Sequence, residues 1–95
     1  MLQLTNRAAA LLSEERTHRG IPASFGLRVE QDRSDSTVGL RLEFTEAPIP
    51  GDEVSETEGV RVFVAPDVAD VLAAQAIDIS EDEGLVLRDQ SELEK

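Results

Sequence analysis

The sequence has no cysteine, no tryptophan and no tyrosine, and only three phenylalanines and one histidine in 95 residues. Without cysteine there can be no disulfide, no thiolate zinc site, no cysteine nucleophile and no cysteine-held iron–sulfur cluster. Cations are scarce as well: 9 Lys+Arg stand against 20 Asp+Glu, a net charge of −11. Such a chain has no surplus of positive charge with which to displace counterions from phosphates, so nucleic acid is not an expected partner. No apolar run approaches the ~20 residues of a membrane span, and no long apolar stretch of the signal-peptide kind opens the chain. The expectation is a cytoplasmic protein that does not engage membranes.

What is present suits one small domain. A 40% apolar content can furnish a packed core at this length. The charge is unevenly placed. Residues 1–41 hold six Arg and five acids, whereas residues 42–95 hold two Arg, the single Lys (Lys95) and fifteen acids. The acidic back part reads first as compositional bias with a soluble surface, and more sharply as a docking face for a basic partner whose association it would accelerate.

Periodicity divides the chain into short elements. Leu2-Gln3-Leu4 alternates as a strand would. Thr5 or Asn6 offers an N-cap oxygen, and Ala8, Leu11 and Leu12 fall at i, i+3, i+4, predicting a helix over 6–18 with Arg16, His18 and Arg19 at its polar rim. Gly20 and Pro22 supply the stop. Residues 25–31 and 38–45 alternate strictly, with Phe25, Leu27 and Val29 on one face of the first and Val38, Leu40, Leu42 and Phe44 on one face of the second. They read as antiparallel strands joined by the polar hairpin 32–37. The proline-bearing stretch 47–52 reads as an extended loop, Val54 as part of a brief strand, and 60–64 as a strand with Phe63 covered on its second face. Pro66 and Asp67 open a second helix running to about Gln75 with Val68, Val71 and Leu72 as its stripe. Two last strands centre on Ile77-Asp78-Ile79 and Leu85-Val86-Leu87, and the polar chain from Arg88 is expected to fray. The class is α+β, dominated by antiparallel strands, with two short helices. One domain covers residues 1–88, with a disordered tail over 89–95.

No catalytic motif stands out. His18 lies beside Arg16 and Arg19 at a helix end, without a carboxylate or nucleophile at a telling spacing. The run from Asp78 to Gly84 has the composition of a calcium loop but not its twelve-residue frame, and reads as a solvated turn. There is no phosphate-binding glycine loop and no Gly-x-Ser-x-Gly elbow. An enzyme is not expected.

Several phrases in order do resemble a known family. Leu2-Gln3-Leu4-Thr5 with the alanine-rich helix, Phe25-Gly26-Leu27-Arg28-Val29, Leu42-Glu43-Phe44, the loop from Glu46 to Asp52, and Gly59-Val60-Arg61-Val62-Phe63-Val64 resemble the A-type iron–sulfur cluster carriers, the IscA/HesB-like family, over roughly residues 1–87. The resemblance implies a β-sandwich or partial barrel, and a dimer interface. It also implies cluster ligands: one cysteine in the hairpin and a Cys-Gly-Cys near the C-terminus. None of these is here. Asp35 or a neighbour stands near the hairpin cysteine's place, and residues 88–95 contain no cysteine. Carboxylates are hard donors, whereas clusters are held by soft thiolates.

Two readings follow. The first is a cluster-free, non-enzymatic interaction module without cofactor, accessory to iron–sulfur assembly and docking a protein partner, basic or belonging to that machinery. The second is a metal-binding or transfer protein that uses carboxylates, Asp32 and Asp35, in place of the cysteines. The loss of every soft ligand favours the first.

Overall fold

The computed structural model describes residues 2–32, 39–82 and 84–91. It contains β1 (Gln3–Leu4), α1 (Asn6–His18), β2 (Gly26–Asp32), β3 (Gly39–Thr45), β4 (Glu53–Thr57), β5 (Val60–Val64), α2 (Pro66–Ala69), β6 (Gln75–Ser80) and β7 (Gly84–Asp89). The strands form two open sheets, one ordered β3-β2-β5-β4 and the other β1-β6-β7, and neither closes into a barrel. This is the expected α+β architecture with two helices.

Antiparallel pairs dominate, and β2–β3 is the longest, with Leu27 opposite Phe44 and Val29 opposite Leu42. The hairpin loop, with Asp35 and Val38, lies outside the described residues. Two pairs are parallel, β1 with β6 and β2 with β5. The second follows from the proline-bearing loop, which carries the chain from the β3 edge to the β4 edge so that β5 returns beside β2. Pro50 and Gly51 (φ 99°) occupy the middle of a turn closed by the Asp52 N–H donating to Ile49 O at 3.0 Å. Proline followed by a positive-φ glycine is the signature of a type II turn. Between β4 and β5, Glu58 and Gly59 both take positive φ, 50° and 81°, as a two-residue hairpin requires.

Helix α1 occupies the expected residues. The Thr5 hydroxyl accepts from Ala8 N–H at 3.2 Å, and at the other end Gly20 N–H donates to Thr17 O and Ile21 N–H to Arg16 O. Those two bonds, with Gly20 at φ 71°, make a Schellman stop. The buried face differs from the expected one: Ala8, Ala9, Leu12 and Arg16 are buried, and Leu11 is exposed. Arg16 leaves the polar rim because its Nη1 donates to Phe25 O at 3.3 Å, which ties the helix to the start of β2. α1 packs against β5 and β6 and so bridges the two sheets.

Helix α2 is shorter than expected. It ends at Ala69, and residues 70–74 tighten into turns, with Ala73 N–H donating to Asp70 O and Gln75 N–H to Leu72 O. The tightening brings the chain into β6 at Gln75. Val68 and Leu72 are buried as expected, but Val71 is 76% exposed. At the other end, the boundary expected after residue 88 falls inside β7, and Gln90 is bonded to Ala73, Ala74 and Gln75 carbonyls. Residues 92–95 lie outside the described residues.

The inner faces of both sheets meet in one core that includes Leu2, Leu4, Leu12, Val29, Val62 and Ile77. Phe63, on the outer face of β5, is nonetheless fully buried. Gly26 allows this: a Cβ there would stand 2.6 Å from the ring. The Arg61 guanidinium covers the ring at 5.5 Å from its centroid.

Candidate functional site

Asp32 closes β2, paired with Gly39 across the hairpin, and Asp35 lies outside the described residues. Among the described residues, no three His, Cys, Asp or Glu side chains are grouped so as to hold a metal ion. His18 is exposed on α1 and shares a wide, shallow concavity with Glu14 and Glu58.

The acidic run from Asp78 is not a solvated turn as a whole. Asp78 belongs to β6 and is buried. It accepts the Thr5 hydroxyl at 2.8 Å and the Arg88 Nε–H at 2.7 Å. The Thr5 bond first, with the bonds from Ile79 N–H and Arg88, holds its carboxyl below the usual range against the opposing effect of burial. One threonine thus caps α1 and fastens it to β6, while Arg88 joins β7 to the same carboxylate.

A second polar anchor has no counterpart in the sequence reading. Asp52, whose side chain is fully buried, receives Arg28 Nε and Nη2 at 3.1 Å each and Ile49 N–H at 2.9 Å. Glu30 pairs with the same guanidinium. Asp52 above all raises the Arg28 pKa, so the cation stays charged throughout the accessible range. The pair pins the crossing loop onto β2. Only the Pro-Gly-Asp signature of the turn hinted at it. Every oxygen of this anchor is engaged within the fold, and its role is architectural.

The concave feature with unspent contact surface lies on the opposite side of the sandwich. Leu40 and Leu42 of β3 face Leu85 and Leu87 of β7, with Val71 and Leu72 closing one end. The space between them comprises two adjoining cavities of about 430 and about 180 Å³, which share Leu40 and Leu87. Gln31 and Asp67 are the only polar residues among the described lining. Leu87 is 43% exposed at the mouth. Sequence reasoning assigned all six apolar residues to strands or helix stripes, and alternation alone does not distinguish a covered apolar face from an open one.

No protein-family model and no curated protein matches the chain. Solved structures do. Escherichia coli SufA, involved in biosynthesis of iron–sulfur clusters, superposes with a TM-score of 0.70 at 22% identity, over 92% of this chain and 81% of SufA. The fold is that of the A-type iron–sulfur cluster carriers. IscA, in a structure with its 2Fe-2S cluster, gives a TM-score of 0.68 at 25% identity, over 93% of this chain and 82% of IscA. A protein from Aquifex aeolicus gives 0.71 at 21% identity, over 93% of this chain and 90% of that one. The carrier fold is therefore present in a chain that contributes no thiolate. Its oxygen donors do not fit the soft coordination that a cluster of that kind takes from cysteine.

Proposed function

We propose that this chain is a non-enzymatic interaction module of the cytoplasm, accessory to iron–sulfur cluster assembly, that holds no cluster through its own side chains. The open trough between β3 and β7 carries this reading. In a domain of this size, exposed apolar surface lining a cavity marks a binding site more often than a packing fault. The link to cluster assembly rests on the fold shared with SufA and IscA. The absence of cysteine separates the scaffold from the chemistry performed on it.

Anaerobic reconstitution with iron and sulfide, together with calorimetric titration of ferrous, zinc and calcium ions, tests the proposal. The expected result is no stable coloured species and no tight ion site. A cluster with stoichiometric sulfide contradicts the cluster-free reading. A tight ion site lost on Asp35→Ala would instead favour carboxylate metal binding through Asp32 and Asp35.

A further inference from the structure

The trough has walls of a particular kind. β3 ends one sheet and β7 ends the other, so both flanking strands present an edge without a partner strand among the described residues. Such edges pair readily with an incoming extended segment, whose alternate side chains then point toward one face. Here that face is apolar: Leu40 and Leu42 on one wall, Leu85 and Leu87 on the other.

Charge selects among the occupants. No Arg, Lys or His lines the trough among the described residues. Exposed Asp70 follows one residue beyond α2, and exposed Asp89 lies two residues past Leu87, on the same face of β7. The arginines of the two wall strands are already engaged, Arg41 with Glu30 and Glu43, and Arg88 with Asp78. A second copy of this chain, also at −11, would bring acid against acid.

We infer that the trough docks an extended segment of a basic partner protein, with alternate apolar side chains seated between Leu40, Val71 and Leu87 and Lys or Arg residues set against Asp70 and Asp89. This inference rests on the interaction-module reading above and names the chemistry of its partner. The acids give orientation and on-rate, and the leucines hold the segment in place.

Fluorescence anisotropy with a labelled peptide of about nine residues, alternating Val and Lys, tests it. Two control peptides replace every Lys by Glu, or every Val by Ser. The Val/Lys peptide is expected to bind, to weaken as salt rises, and to lose about tenfold or more in affinity on combined Val71→Asn and Leu87→Asn substitution. The Glu peptide should not bind, and the Ser peptide should bind weakly with no response to the substitutions. A thermal melt of the double variant establishes that it is folded. Absence of Val/Lys binding, or binding indifferent to the double substitution, overturns the inference. If the Val/Glu peptide binds as well and is weakened by the same substitutions, the trough remains a docking site but the basic partner is wrong. A dimer in sedimentation that the double substitution dissolves assigns the trough to a second copy, and likewise overturns the inference.

Discussion

The two long sides of the sandwich are built from the same alternating apolar strands and end differently. On one side α1 lays Ala8, Ala9 and Leu12 across the sheets, and Val60, Val62 and Leu27 beneath are almost wholly removed from water. On the other, β3 and β7 face each other across a trough, and Leu40, Leu42 and Leu85 are only partly buried. The closed side accounts for stability. The open side is apolar surface the fold does not use for itself, and the difference separates what holds the domain together from what it has to offer a partner.

The largest expected effects fall on buried residues away from the trough. Phe63→Ala removes a fully buried ring and should cost about 3–5 kcal/mol in denaturant unfolding. Asp52→Ala leaves the buried Arg28 guanidinium with Glu30 alone and frees the crossing loop. The expected loss is about 3 kcal/mol, with faster proteolysis within residues 46–52. Gly26→Ala drives a Cβ to 2.6 Å from the Phe63 ring and should cost about 1–3 kcal/mol. Combined with Phe63→Leu, that cost should shrink, since the smaller side chain vacates the clashing position.

The polar anchor that ties α1 and β7 to β6 predicts a pH effect of definite sign. The Asp78 carboxyl lies below its unfolded value in the native state, so its contribution is complete above the unfolded pKa of about 4. It is lost as the pH falls from there through the depressed native pKa. Unfolding titrations should show this acid limb in the wild type and a shallower one in Asp78→Asn, with little difference in slope between pH 6 and 8. An equally steep limb in the variant would remove Asp78 from the account.

Much of this was legible in the sequence, for identifiable reasons. Thr5, Gly20 and the 3.6-residue spacing bound α1 because caps and periodicity are local signals, and β2–β3 followed from strict alternation around a polar hairpin. Leu11 was misassigned because Ala9 fits the close approach of α1 to the sheets. Arg16 was misassigned because a long side chain can reach a carbonyl across the core edge. The parallel pairing of β1 with β6 joins residues more than seventy positions apart and leaves no local trace. Asp78 looked like part of an acidic turn because its partners, Thr5 and Arg88, lie on other elements. The trough was hidden for a related reason: alternation reveals which face of a strand is apolar, but not whether anything covers it.

The smallest stability effect carries the most weight for function. Val71→Asn with Leu87→Asn places two amides on the mouth of the trough, where Val71 is largely and Leu87 partly in water. Measured side by side, unfolding free energy and Val/Lys-peptide affinity of this double variant test the division between the two sides most directly. The prediction is stability within about 0.5 kcal/mol of the wild type and affinity reduced about tenfold or more. A stability loss comparable to that of Phe63→Ala, with peptide affinity unchanged, would contradict it.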